Sequence, residues 1–219
     1  MIFLSYSLNE HTPTYGNRNK FNQVKKSDIR NGDIANDTHI STTTHIGTHI
    51  DMPFHFYENG QTITDYNADF WIFNNPLIIE VTPQNLVIKD EVIDKLNLVK
   101  NTEYDIIIVK TGICNSRKEK IFWEKNYGFH ESIYECILAK FPSVRVFGFD
   151  SISVSSFSNR IEGRKSHKKF LNPAHPILLL EDMDLTKIIE TTNIKRIIIS
   201  PLRIENSDGL PCTVFGELI

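Results

Sequence analysis

Residues 45–56 read HIGTHIDMPFHF, which brings three histidines and an aspartate into eleven positions, with a glycine between the first two histidines. Imidazole nitrogen and carboxylate oxygen are the donor set of zinc and related divalent ions. His45 and His49 are four apart, the spacing that stacks two imidazoles on one helix face in H-E-x-x-H sites. Gly47, the β-branched Thr48 and Ile50, the threonines at 42–44 and Pro53 all oppose a helix here. In an extended chain His45, Gly47, His49, Asp51, Pro53 and His55 share one face. A straight strand, however, separates residues four apart by about 13 Å, too far for one ion with bonds of about 2.0–2.1 Å. The chain must therefore bulge or turn, and Gly47 is the residue that permits it while leaving open space where a side chain would stand. Pro53 would then direct His55 back toward the same centre. A lone histidine is more often a hydrogen-bonded core group than a ligand, but four candidate ligands around one glycine favour a metal. They do not name a reaction.

The rest of the chain has to position these groups. Of its 219 residues, 40% are apolar and 23% charged, the composition of one compact globular domain. At this length roughly 70% of the unfolded surface can be buried, so the core needs no disulfide staples. A net charge of -3 gives no reason to expect nucleic-acid binding, and no apolar run is long enough to cross a bilayer, so a small molecule is the expected partner. The opening MIFLSYSLNEH has no basic flank or long apolar stretch and reads as a first strand rather than a secretion signal. Cys114, Cys136 and Cys212 are odd in number and never in a C-x-x-C arrangement, which fits buried thiols in a reducing cytoplasm.

Short runs rich in valine and isoleucine predict strands at 76–81, 104–112, 144–151, 175–181, 194–204 and 212–218. Several are apolar on both faces, as in central strands covered on two sides. Helices are expected at 131–141, with Ile133, Ile137 and Leu138 on one stripe, and at 159–171, with shorter ones near 90–98 and 182–190. The class is α/β, a single strand-rich domain over 1–219 with few helices. Arg160, Arg164, Lys165, Lys168 and Lys169 form a basic cluster that could attract an anion, although a solvated helix face is the commoner meaning. Asp208, in the turn-like NSDG, is a candidate polar contact. Phe70, Trp71 and Phe73 suit core packing better than a pocket wall, and His11, His39, His130 and His175 are expected to be non-ligands.

The run HIGTHIDMPFHF resembles the H-x-G-T-H-x-D-x-P-x-H-F signature of the cyclase family of metal-dependent hydrolases, which includes bacterial kynurenine formamidases and isatin hydrolase. VKTG, VFGFDSISVSS, SHKKFLNPAHPILLLEDMDL and IIISPLRIENSDGLPCTVF are similar to further family segments, so the likeness runs nearly end to end. It implies a swivelling β/β/α domain, usually a homodimer or higher oligomer. It also implies that His45, His49 and Asp51 bind one metal, that Asp51 is shared with a second, and that His167 and Glu181 bind the second. Two zinc ions per subunit, or manganese, would be the cofactors. His55 falls at the position of the proton donor or acceptor, and Tyr15 where many members place a substrate-stacking tryptophan. Lys110 stands where arginine is common, and His167 precedes Glu181 by fourteen positions rather than the formamidases' twelve, which leaves His175 and Asp182 as lesser ligand candidates. The activity implied is attack by a metal-activated hydroxide on an amide, with arylformamidase (N-formylkynurenine to kynurenine and formate) first. Ring opening of an isatin-like cyclic amide is second. A non-catalytic metal- or ligand-binding relative is third, and the presence of His55 speaks against it.

Overall fold

The computed structural model describes residues 1–219. The strands in chain order are β1 (Ile2–Phe3), β2 (Asn22–Ser27), β3 (Asp37–Ser41), β4 (His49–Asp51), β5 (Ile72–Phe73), β6 (Pro76–Glu80), β7 (Val87–Ile88), β8 (Ile106–Lys110), β9 (Gly128–Phe129), β10 (Val146–Phe149), β11 (Leu178–Glu181), β12 (Ile194–Pro201) and β13 (Gly209–Leu218). The helices are α1 (Asp90–Leu98), α2 (Ile121–Glu124), α3 (Ser132–Lys140) and α4 (Arg160–Phe170). No helix is long and apolar enough to cross a membrane.

Nine strands form one mixed sheet, ordered β5-β12-β13-β4-β11-β10-β8-β6 with β1 added against β13. Its two ends approach where β12 meets β6, so the sheet nearly closes into a barrel. β6, β8, β10 and β11 run parallel and the remaining pairings are antiparallel. Ile106–Val109, Val146–Phe149 and Leu178–Leu180 are buried throughout, as expected of central strands whose two faces are both covered. All six strands read from valine and isoleucine content are present, within a few residues of the expected ends.

Four differences have local causes. Residues 182–190 are not helical: Asp182 takes a left-handed φ of 52°, and the Asp184 carboxylate accepts from the Thr186 N–H and hydroxyl at 3.2 and 2.6 Å, which turns the chain. On α3 the buried stripe is Ile133, Tyr134 and Ile137, while Leu138 is 39% exposed. The expected first strand is only two residues long. The β2–β3 hairpin was not foreseen because its strands are almost wholly exposed and so carry no apolar alternation.

Two buried carboxylates brace the loops behind the site. Asp150, at the end of β10, accepts from the Thr111 N–H and hydroxyl and from the Gly112 N–H at 2.8–2.9 Å, tying together the tips of two parallel strands. Asp182 forms a two-point ion pair with Arg117 at 2.8 and 2.6 Å, and the guanidinium also lies 3.8 Å from the centre of the Tyr6 ring.

Candidate metal centre

The centre is assembled by strand register. β4 lies between β11 and β13, with His49 opposite Glu181 and Pro211, and Asp51 opposite Leu179 and Gly209. His49 and Asp51 are two apart on one strand and so share a face, and the cross-strand pairing puts Glu181 on that face from 130 residues away. α4 supplies His167. Gly47 has φ +58°, the turn expected from its position, but the space beside it is not open: a Cβ there would lie 2.4 Å from Leu8 Cδ2. The glycine is needed for both conformation and close packing.

The atom spacing tests whether these side chains suit a metal. His49 Nε2 is 3.4 Å from Asp51 Oδ1 and 3.4 Å from Glu181 Oε2, while His167 Nε2 is 3.5 Å from Asp51 Oδ2 and 3.8 Å from Glu181 Oε1. These distances are too long for good hydrogen bonds. They match the edge of about 3.3 Å between ligand atoms of a tetrahedron with bonds of about 2.0–2.1 Å. Each imidazole also donates its other nitrogen to a backbone carbonyl, His49 Nδ1 to Gly47 at 2.8 Å and His167 Nδ1 to Gly163 at 2.9 Å. That leaves Nε2 as the lone-pair nitrogen facing the carboxylates, the arrangement usual behind metal-ligating histidines. Both carboxylates reach toward both histidines, one oxygen to each, as bridging ligands would. The Val154 N–H donates to Glu181 Oε1 at 2.7 Å and orients it. The donors therefore fit divalent ions.

A second grouping also contains Asp51. His45, Asp51 and His55 form one potential ion-holding group, and His49, Asp51 and Glu181 another. His45 and His49 both face the same oxygen, Asp51 Oδ1, with their ring centres 5.3 Å apart, so His45 stands beside both His49 and His55. His45 Nδ1 is 2.8 Å from Asp51 Oδ1, and its Nε2 is 2.9 Å from Asp208 Oδ2. The same Asp208 oxygen is 3.0 Å from His55 Nδ1, and Thr44 donates to Asp208 Oδ1 at 3.0 Å. Asp208 is the residue that sequence reasoning undervalued: Asp-Gly reads as a turn, but here Asp208 joins two histidines 153 and 163 residues away. Its neighbour Gly209 is required by packing, since a Cβ there would lie 2.5 Å from the His45 ring.

Charge explains why so many titratable groups tolerate burial together. Burial would push His45 down, but the charge of Asp51 and the bonds to Asp208 and Asp51 outweigh it and raise it to about 9. Burial likewise opposes protonation of His49 and His167, yet Asp51 and Glu181 hold both above the usual histidine value. Asp51 is held well below the usual carboxylate range, against its burial, by His45, His167 and His49. Bonds from His45 and His55 likewise lower Asp208. In metal-free protein a raised histidine contributes stability that is complete below its unfolded value of 6.5 and is lost as pH rises through about 9. Asp51 is ionised across that window and adds no slope. The melting temperature of the chelated protein should therefore fall between pH 6.5 and 9.5, read by calorimetry; a rise over that range would contradict the charged cluster.

These groups line a cavity of about 430 Å³, a common size for a small-molecule site. Tyr15 lines it, with its ring edge-on to Phe157 at 5.4 Å, as do His45, His49, Asp51, His55, His167 and Glu181. Every residue expected at the site is thus brought together there. Lys110 is not: it is buried elsewhere, donating to the Ile188 carbonyl at 2.7 Å and pairing with Glu80. Trp71 and Phe73 pack in the core, and His11, His39, His130 and His175 do not line the cavity.

The family described as "Putative cyclase" matches residues 2–156, which include the 45–56 segment. Cyclase-like protein 1 of Oryza sativa subsp. japonica is 25% identical over 195 residues, 85% of this chain and 66% of the relative. The chain spans about two thirds of the length of that relative. Kynurenine formamidase of Geobacillus thermodenitrificans (strain NG80-2) is 27% identical over 116 residues, 53% of each chain. Among solved structures, isatin hydrolase A from Labrenzia aggregata bound to benzyl benzoate superposes with a TM-score of 0.79 at 17% identity, covering 97% of this chain and 91% of that one. With the matched span covering most of the sequence, the chain belongs to the cyclase family.

Proposed function

We propose that this chain is a metal-dependent hydrolase of carbon–nitrogen bonds in non-peptide amides, acting on aryl formamides, the class to which N-formylkynurenine belongs. The observation that carries the reading is the spacing of His49 and His167 Nε2 from the two carboxylates, 3.4–3.8 Å, beside a cavity of about 430 Å³ that also holds His55. His45, His49, Asp51, His167 and Glu181 would hold divalent ions, zinc or manganese. Bound ions of this kind lower the pKa of water toward neutrality and polarise an amide carbonyl. His55, with Nδ1 fixed on Asp208, keeps Nε2 for moving a proton to the departing amine nitrogen. Asp208 orients that ring. The relative named kynurenine formamidase supports the same chemistry.

The test is hydrolysis of N-formylkynurenine by protein stripped with chelator and reloaded with zinc or manganese, with isatin assayed beside it for the ring-opening alternative. Metal-dependent turnover at a kcat/KM of about 10⁴ M⁻¹s⁻¹ is expected. Bound metal without turnover of any formamide or of isatin would end the proposal. His55→Ala should lower kcat by about 10²–10⁴-fold with the metal content unchanged. Metal lost in step with activity would instead make His55 a ligand beside His45 and Asp51.

A further inference from the structure

The basic cluster on α4 divides into two faces. Positions 160, 164 and 167 are spaced i, i+4, i+7 and lie on one stripe of the helix, so Arg160 and Arg164 share the cavity side with His167, and both line the cavity. Lys165 and Lys169 lie on another face and are paired, with Glu162 at 2.8 Å and with Glu135 at 2.9 Å. The lysines are a solvated helix face, as the commoner meaning has it; the arginines are not.

A third arginine, Arg18, lines the same cavity from the loop after Tyr15. The arginines that find carboxylate partners are Arg30, Arg117, Arg145 and Arg196. That leaves Arg18, Arg160, Arg164 and Arg203 unpaired, and three of these four face one cavity. The only acids lining that cavity are Asp51 and Glu181, both engaged with histidines. Arg160 is also held in place, its guanidinium 4.2 Å from the Phe157 ring centre and 6.0 Å from that of Tyr15. Like charges gathered at a concave site without counter-charges raise the local concentration of an anion, and arginine matches a carboxylate with two parallel hydrogen bonds.

We propose that the substrate is an acylated aryl amine that carries a carboxylate and no ammonium group, with Arg160, Arg164 and Arg18 holding the carboxylate while the amide faces the histidines. The inference rests on the hydrolase reading above and narrows it. An amino acid side chain such as that of N-formylkynurenine would bring an ammonium group among three guanidiniums with no free acid to receive it. Only four of the twenty lining residues are hydrophobic, which also suits a charged ligand.

The experiment compares N-formylanthranilate, neutral formanilide and N-formylkynurenine on the metal-loaded enzyme. N-formylanthranilate should lead formanilide by about 10-fold or more in kcat/KM, the size of one charge-assisted contact. That ratio should fall at least about 5-fold in Arg160→Gln/Arg164→Gln and hold in Lys165→Gln. A ratio unchanged in the double variant, or N-formylkynurenine outrunning N-formylanthranilate, would overturn the proposal. Calorimetric binding of anthranilate to the wild type and the double variant gives a readout without turnover. If no formamide is hydrolysed, the hydrolase reading fails, and weaker anthranilate binding by the double variant would still uphold the carboxylate site; equal binding by both proteins, or none by either, would overturn that as well.

Discussion

Asp51→Asn should strip the protein of bound metal and lower turnover by about 10³-fold or more, the cost of losing a preorganised charge at the reacting centre. Asp51 is 1% exposed, and its two oxygens face three imidazoles: His45 at 2.8 Å, His49 at 3.4 Å and His167 at 3.5 Å. Both potential ion-holding groups contain it. The amide keeps the size of the carboxylate but removes the one charge common to both groups, so both should fail together. Metal per chain by mass spectrometry, with circular dichroism as the check on folding, reads the result. Asp208→Asn is the contrast. The Asp208 carboxylate bonds His45, His55 and Thr44 and none of Asp51, His49, His167 or Glu181, so its variant should keep its metal and lose about 10–100-fold in activity through misplaced rings. Full metal content in Asp51→Asn would show that the ions are held elsewhere.

Arg117→Leu should destabilise the fold by about 3–5 kcal/mol, because it leaves the Asp182 carboxylate buried without a partner. Asp182 is fully buried, and burial raises its carboxyl above the usual value even with Arg117 bound. Its left-handed φ of 52° follows directly after Glu181, and its carbonyl accepts from the Thr48 hydroxyl at 2.6 Å next to His49. The ion pair therefore locks a strained turn between two proposed ligands. A drop in melting temperature of roughly 10 °C is expected for a chain of this size. Adding Asp182→Asn to Arg117→Leu should recover part of the loss, since the orphan charge is then gone. A single variant as stable as the wild type would show that water reaches Asp182.

How much of this was legible in the sequence depends on how local each signal is. His45, His49, Asp51 and His55 lie within eleven residues, so their types and spacing alone pointed to a metal, and the strands at 106–110, 146–149 and 178–181 announced themselves as unbroken apolar runs. An apolar stripe pointed to the helix at 132–140, and the Asn172–Pro173 stop to the one at 160–170. At 182–190, where a short helix is expected, side-chain bonds from Asp184 and the left-handed Asp182 turn the chain instead.

What only the tertiary structure decided were the relations between distant segments. The sequence alone determined that a histidine–aspartate centre exists in a strand-rich domain, because those residues are neighbours along the chain. That Glu181 faces His49 follows from antiparallel register. That Asp208 joins His45 to His55 follows from β13 lying beside β4. That two arginines of a basic run face the cavity while two lysines face acids follows from where α4 docks. Composition cannot carry such information, because a side chain's partner is set by the packing of elements far apart in the chain, and the same Asp-Gly or Arg-Lys string reads alike whichever neighbour it meets.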